Sequence, residues 1–269
     1  MNDPSLVPKK EAEIELSIVM PVFNEQATLA EIVRRVVTVP HLVELIIVDD
    51  CSQDESLRIA EELALDDARI TVLKQDRNLG KSQALKKGIS FSRGDIVIIQ
   101  DADLEYDPRE IPDVIGPIIQ ERADVVYGSR FMVKKAARVL YFSHYLANKF
   151  LTFFSNCLTN LNMSDIETCY KAFRGDLIRN LIITSSGFGF EVEVTAKIAK
   201  LKCAVYEVPI SYYGRTYAEG KKIGFWDAVA AVWYIAKFNM LTNLRSSFRS
   251  ASDIHLTDHE ELFLGSNEQ

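Results

Sequence analysis

Between residues 16 and 130 the chain alternates short continuous apolar runs with longer stretches whose apolar positions recur every three or four residues. Leu16–Val22, Glu44–Val48, Arg69–Lys74 and Asp95–Gln100 read as strands, three of them centred on Ile18-Val19, Leu45-Ile46-Ile47-Val48 and Ile96-Val97-Ile98-Ile99. Glu25–Val37 reads as a helix with Leu29, Ile32, Val33 and Val36 on one face, and Glu55–Leu65 and Lys81–Ser90 read as the next two. Ala123–Gly128 predicts one more strand. Strands that are apolar without interruption suit a sheet covered on both sides. Strand and helix in alternation then predict an α/β fold: a single, mostly parallel twisted sheet with helices on both faces and right-handed crossovers. Ligands of such sheets sit beyond the carboxyl ends of the strands, so the residues just after each run carry the chemistry.

Those residues are acidic. They read Pro21-Val22-Phe23-Asn24-Glu25, Asp49-Asp50-Cys51-Ser52 and Asp101-Ala102-Asp103-Leu104-Glu105. Like charges gathered on one edge repel unless a cation neutralises them. Helix capping by Asp50 or Ser52 accounts for one acid per loop but not for Asp-x-Asp-x-Glu after a strand. Asp101, Asp103 and Glu105 offer hard oxygen ligands of the kind Mg²⁺ or Mn²⁺ takes alongside water and substrate phosphates. A calcium loop is excluded because Tyr106-Asp107-Pro108 follows where a Gly is needed. Gly80-Lys81-Ser82 is not a P-loop, since position 75 is Gln.

Composition narrows the class. The 269 residues are 48% hydrophobic and 26% charged with a net charge of −7, which suits a globular protein and argues against a nucleic-acid partner. The first half is acidic and residues 129–222 are basic, suggesting one part that handles cations and another that meets anions. Cys51, Cys157, Cys169 and Cys203 are too scattered for a zinc ribbon or a disulfide scaffold. His41, His144, His255 and His259 share no catalytic spacing. Neither a secretory leader nor an apolar run of membrane-spanning length is visible, so the expected location is the cytoplasm, at a membrane surface if the acceptor is a lipid.

The strings PVFNE, VDDCSQDES, NLGKSQALKKG, DADLEYDP and GSR, in this order, resemble the inverting family-2 glycosyltransferases. DIETCYKAFR, GFGFEVEVTAKIAK and VYEVPISYYGRTYAEGKKIG are similar to the branch of dolichyl-phosphate mannose synthases and polyprenyl-phosphate glucose synthases. The resemblance covers roughly residues 14–240. It implies a glycosyltransferase A type fold with a Rossmann-like nucleotide-binding half, a divalent metal, and transfer of a hexose from GDP-mannose or UDP-glucose to a polyprenyl or dolichyl phosphate. Residues 1–15 read as a flexible polar leader and 246–269 as a loosely ordered acidic tail, which leaves a domain over 16–245 divided near residue 130 into nucleotide-sugar and acceptor halves. Carried over by position, Pro21, Phe23 and Glu25 line the base pocket, Asp50 bonds base or ribose, and Lys81 approaches the nucleotide beside Ala102. Asp101 serves ribose and metal, Asp103 ligates the metal between the donor phosphates, and Glu105 stands where Gln is common. Cys51 and Cys169 replace glycines, which predicts turns without positive φ.

A lipid phosphate is already anionic and needs no general base; it needs positive charge to hold it. Arg130, Arg138, Arg215 and Lys221 are the candidate grip, with Lys134, Lys135 and Lys222 nearby, and Asp103, Arg130 and Arg215 are the expected catalytic set. Val139–Asn162 predicts an amphipathic helix: Phe142, Leu146, Phe150, Phe153, Phe154, Cys157 and Leu161 on one face, Asn148, Thr152, Ser155, Asn156 and Thr159 on the other. Phe225–Phe238, with Trp226 and Trp233, is a second such stretch. A membrane surface, a core, a homodimer and a membrane-protein companion all stay open for these faces. Asp165, Glu167, Glu191 and Glu193 read as helix N-terminal or hydrogen-bonding acids. A saccharide-hydroxyl acceptor and a non-catalytic nucleotide-binding scaffold are the alternatives; the absence of QxxRW counts against a processive enzyme.

Overall fold

The computed structural model describes residues 13–132, 138, 141–215 and 225–257, the first two of the last segment by backbone alone. The leader up to residue 12, Lys134, Lys135, Lys221, Lys222, the Trp226 side chain and the tail beyond 257 lie outside the described residues. Among the described residues seven strands form one sheet: β1 Leu16–Val22, β2 Leu42–Asp49, β3 Ile70–Lys74, β4 Ile96–Ile99, β5 Val125–Ser129, β6 Lys171–Arg174 and β7 Val205–Pro209. Their order is β3-β2-β1-β4-β6-β5-β7. β1 pairs parallel with β2 and β4, β2 with β3, and β5 with β7, whereas β6 is antiparallel to both β4 and β5. Two antiparallel pairings in succession restore direction, so β6 alone is reversed. The carboxyl ends of the other six strands therefore share one edge of the sheet, and the segment leading into β6 arrives at that same edge.

The α-helices among the described residues are α1 Leu29–Val36, α2 Ser56–Asp66, α3 Lys81–Phe91, α4 Ile111–Ile119, α5 Phe142–Thr159, α6 Gly175–Asn180, α7 Phe190–Leu201, α8 Phe225–Met240 and α9 Leu244–Ser247. Leu29, Ile32, Val33 and Val36 are buried on α1 as their spacing predicts, and β4 is buried along its whole length. α1 starts four residues later than expected. Glu25–Thr28 closes instead as a turn on the Glu25 carbonyl, whose oxygen accepts from the amides of Thr28 and Leu29. β6 and β7 have no counterpart among the expected strands.

Two further expectations are corrected. Cys51 has φ +61°, so its turn does adopt the left-handed region that a glycine would enter freely; Cys169 does not. The described part of the tail is docked: Phe248 is buried and bridges to Leu181, and Asp124 Oδ1 accepts from the Thr257 amide at 2.8 Å.

α5 is amphipathic in the reverse sense from a core helix. Its polar face turns inward: Thr152 and Ser155 are buried, Asn148 meets Arg130, and Asn156 bonds both the amide and the carbonyl of Met163. Its aromatic face turns outward, with Phe142 74%, Phe150 56% and Phe153 67% exposed; Phe154 packs against the core. α8 lies alongside α5 and carries Trp233, 61% exposed, with Met240 and Leu241 beyond it. No helix among the described residues is long and apolar enough to cross a membrane.

Candidate active site

The loop after β1 is laced to the loop after β2. The Asn24 amide donates to Ser52 Oγ at 3.0 Å, the Glu25 amide to Ser56 Oγ at 2.8 Å, and Asn24 Oδ1 accepts from the Gln53 amide at 2.8 Å. Phe23 and Pro21 are half-buried beside this seam. Asp50 is buried and braces the backbone: its oxygens accept from Gln75 Nε2 at 2.7 Å and from the amides of Leu79 and Gly80 at 2.8 Å. Asp50 thereby fixes the approach to α3, where Gly80 has φ +85° and a side chain would strike Gly187.

Lys81, the first residue of α3, reaches across the edge. Its Nζ lies 2.9 Å from Asp101 Oδ1 and 3.1 Å from Glu191 Oε1 at the start of α7. Ala102 is buried beneath. Arg215, six residues past β7, is the second cation of the edge. Its guanidinium contacts Asp103 at 3.0 Å, Glu105 at 3.2 Å and Glu25 at 3.3 Å. Of the six acids expected to converge, Glu25, Asp101, Asp103 and Glu105 meet these two cations, whereas Asp49 accepts from the Ser52 amide and Asp50 braces the start of α3. Burial, with the charges of Asp101 and Glu105 next, pushes the Asp103 carboxyl up to about 7 despite Arg215.

Glu105, expected as a metal ligand, has both oxygens engaged by its own chain. One oxygen accepts from the Arg215 amide at 2.8 Å and the other from the Tyr212 hydroxyl at 2.7 Å, so it anchors the 212–215 segment. Arg130 also departs from expectation: its Nε and Nη2 grip Asp165 at 2.7 and 2.8 Å, closing the fork a phosphate would use. Asp165 is not at a helix start; burial opposes its charge, but Arg130 holds it below the usual carboxylate range. Arg138 donates to the Gly214 carbonyl at 2.9 Å, next to Arg215. Glu193 pairs with Lys197 and accepts from the amides of Thr184 and Ser185. Lys221 lies outside the described residues.

Among the described residues no three acid, His or Cys side chains form a ready cage for a cation. A magnesium-type ion needs none, because it takes one or two carboxylates and fills its shell with phosphate and water. The donor set suits it: among the described residues Asp101 and Asp103 bring carboxylate oxygens to one edge, the hard ligands that such an ion takes beside phosphate and water.

Tyr212 and the Ser164–Glu207 contact were missed by sequence reasoning. The Tyr212 ring lies 5.2 Å from the Arg130 guanidinium, and Glu207 on β7 accepts from the Ser164 and Asp165 amides. A single Glu inside a short strand and one Tyr of a Tyr-Tyr pair carry no local sign of such roles.

Residues 17–182 match the profile of glycosyl transferase family 2, well over half of the chain. The chain is 29% identical over 173 residues to dodecaprenyl-phosphate galacturonate synthase of Rhizobium johnstonii, covering 62% of this chain and 50% of that protein. It is 28% identical over 221 residues to undecaprenyl-phosphate 4-deoxy-4-formamido-L-arabinose transferase of Edwardsiella ictaluri, covering 77% and 62%. The chain thus spans between half and two thirds of these relatives. Among solved structures, glucosyl-3-phosphoglycerate synthase from Mycobacterium tuberculosis in complex with Mn²⁺, UDP and phosphoglyceric acid superposes with a TM-score of 0.65 at 17% identity, covering 87% of this chain and 81% of that one. The same enzyme with Mg²⁺ and UDP gives 0.66 at 18% identity, covering 86% and 81%. These likenesses establish the glycosyltransferase A type sheet.

Proposed function

The chain belongs to glycosyl transferase family 2, and from that premise we propose that it moves a hexose from a nucleotide-sugar of the GDP-mannose or UDP-glucose type to a polyprenyl or dolichyl phosphate, with inversion at the anomeric carbon. The observation that carries the reading is the meeting of Asp101, Asp103 and Glu25 with Lys81 and Arg215 at the carboxyl edge of the sheet. The relatives named for dodecaprenyl and undecaprenyl phosphate support the acceptor class. So does the outward aromatic face of α5, whose neighbours in a lipid surface would be acyl chains and headgroups.

The donor lies over the seam of the first two loops, its base against Phe23 and Pro21 and its ribose near Asp101. Asp103, with Asp101 beside it, would hold Mg²⁺ or Mn²⁺, which when bound supplies Lewis-acid neutralisation of charge on the leaving diphosphate. Lys81 stays charged between Asp101 and Glu191 and faces the same phosphates. Arg215 is the cation best placed for the acceptor phosphate, with Arg138 behind it, while Arg130 positions the edge through Asp165. An oxygen of the acceptor phosphate attacks the anomeric carbon from the face opposite the diphosphate; the C–O bond to the donor breaks as the new one forms. No proton needs removing from this nucleophile.

Calorimetric titration with UDP and GDP in the presence of Mn²⁺ tests the donor site. One of the two nucleotides should bind in the micromolar range, and Asp103→Asn should weaken it at least tenfold. No heat with either nucleotide would favour a non-catalytic scaffold.

A further inference from the structure

Arg130 and Arg215 both stand at the carboxyl edge, and their carboxylate partners hold them differently. Asp165 meets Arg130 with both oxygens, 2.7 Å from Nε and 2.8 Å from Nη2, so one acid takes the whole side of that guanidinium. The same side of Arg215 is divided. Its Nε lies 3.2 Å from Glu105 Oε1 and its Nη2 lies 3.0 Å from Asp103 Oδ2, while Glu25 faces Nη1 and Nη2 at 3.3 Å. Each contact is longer than the about 2.7–2.9 Å of a strong ion-paired hydrogen bond. Arg215 is therefore shared among three acids, none of which grips it as Asp165 grips Arg130. An incoming anion can take it over.

The second oxygen of Glu105 explains the sharing. Oε2 accepts from the Tyr212 hydroxyl at 2.7 Å, while Oε1 accepts from the Arg215 amide at 2.8 Å. A carboxylate pinned at both oxygens cannot rotate to offer the pair to one guanidinium. Tyr212 itself has little freedom. Its ring packs on Tyr106 at 5.3 Å between centroids and lies 5.2 Å from the Arg130 guanidinium carbon, and Tyr106 in turn packs on Tyr170 at 4.9 Å. The backbone on either side is tied down: the Ser211 amide and hydroxyl donate to Glu110, and the Tyr213 amide donates to the Glu105 carbonyl. Burial, with the charge of Glu105 next, pushes the Tyr212 phenol above its usual value, so it stays protonated and donates.

We propose that Tyr212 is a positioning residue that keeps Arg215 available to the acceptor phosphate, by holding one oxygen of Glu105 away from the guanidinium. The inference rests on the acceptor reading above and names the group that preserves it. Once the hydroxyl is removed, Glu105 Oε2 turns to Nη2 and closes on Arg215 as Asp165 closes on Arg130. A phosphate must then break a two-bond ion pair before it can bind.

The test is calorimetry of farnesyl phosphate, a soluble short polyprenyl phosphate, on the full chain loaded with Mn²⁺ and whichever of UDP and GDP it accepts. Tyr212→Phe keeps the ring and removes the hydroxyl. It should weaken farnesyl phosphate about tenfold, the scale of one hydrogen bond to a charged group, and change nucleotide affinity by less than about twofold. Adding Glu105→Gln should restore farnesyl phosphate binding to within about twofold of Glu105→Gln alone, since a carboxamide has a single oxygen to offer. A residue that merely supports the loop gives no such rescue. Unchanged binding by Tyr212→Phe overturns the inference, and so does a loss that Glu105→Gln leaves in place. An equal loss of nucleotide binding overturns it too, because the whole edge has then been disturbed. Arg215→Ala separates these outcomes from the acceptor reading: if the wild type binds farnesyl phosphate and this variant does not, that reading stands whatever Tyr212 does. Failure of the wild type to bind farnesyl phosphate removes the acceptor reading and the inference together.

Discussion

Asp165 is fully enclosed and joined to Arg130 through both oxygens, so each charge depends on the other. Asp165→Asn leaves a buried guanidinium without its partner and should cost about 3–5 kcal/mol at neutral pH. Because the native Asp165 pKa is lowered, its stabilisation is complete above the unfolded value near ~3.9 and is lost as the pH falls through the native value. Denaturant unfolding from pH 7 to 3 should therefore show the difference between wild type and variant shrinking below about pH 4; a constant difference would contradict the pairing. Arg215 is different: it is partly exposed and shared among three acids rather than locked by one. Arg215→Ala should raise the acceptor KM at least tenfold while changing donor affinity much less, and unchanged acceptor kinetics would refute the role. At this scale the sequence showed which acids and cations stand at the strand ends but not how they pair. Asp101-Ala102-Asp103 announces itself by spacing within one loop, whereas Arg130 meets Asp165 across 35 residues and Arg215 meets Glu25 across 190. Cys51 misled for a related reason: the left-handed turn is imposed by Asp49 and Ser52 and their neighbours, and the residue at its centre follows.

Elements are legible where a pattern repeats and obscure where it is short. β1 coincides with its predicted run, and β2 extends two residues before its expected start and one beyond its expected end. β6, four residues long and reversed, shows no periodicity that could distinguish it from a loop. The spacing of α5 identifies its two faces, yet only the fold shows that the polar one is turned inward, held through Asn148, Thr152 and Asn156. That orientation leaves an aromatic surface on α5 and α8 that water alone would not favour. Flotation with liposomes containing anionic lipid should carry the wild type upward, and Phe150→Asp with Phe153→Asp should at least halve the floated fraction. Both side chains are exposed, so the double variant should melt close to the wild type. Absence of wild-type flotation would remove the membrane contact; dimerisation lost in the same variant would assign the face to a second copy.

For the whole molecule, strand direction is what makes the site. With β6 alone reversed, loops from both halves of the chain reach one edge: residues 23–25, 50–52 and 101–105 from the first, 130, 165–168 and 212–215 from the second. The parallel first half is readable from its continuous apolar strands; the way the second half joins it is not, because that depends on a reversed strand slipped between β4 and β5. The central claim is that this shared edge passes a sugar from a nucleotide to a lipid phosphate. The most direct measurement offers radiolabelled GDP-mannose and UDP-glucose to the protein with a polyprenyl phosphate and Mn²⁺, and follows label into organic solvent. Extraction of label from one of the two donors, abolished by Asp103→Asn and dependent on added polyprenyl phosphate, is the predicted result. Label that stays in water, or passes only to a soluble saccharide, would contradict it.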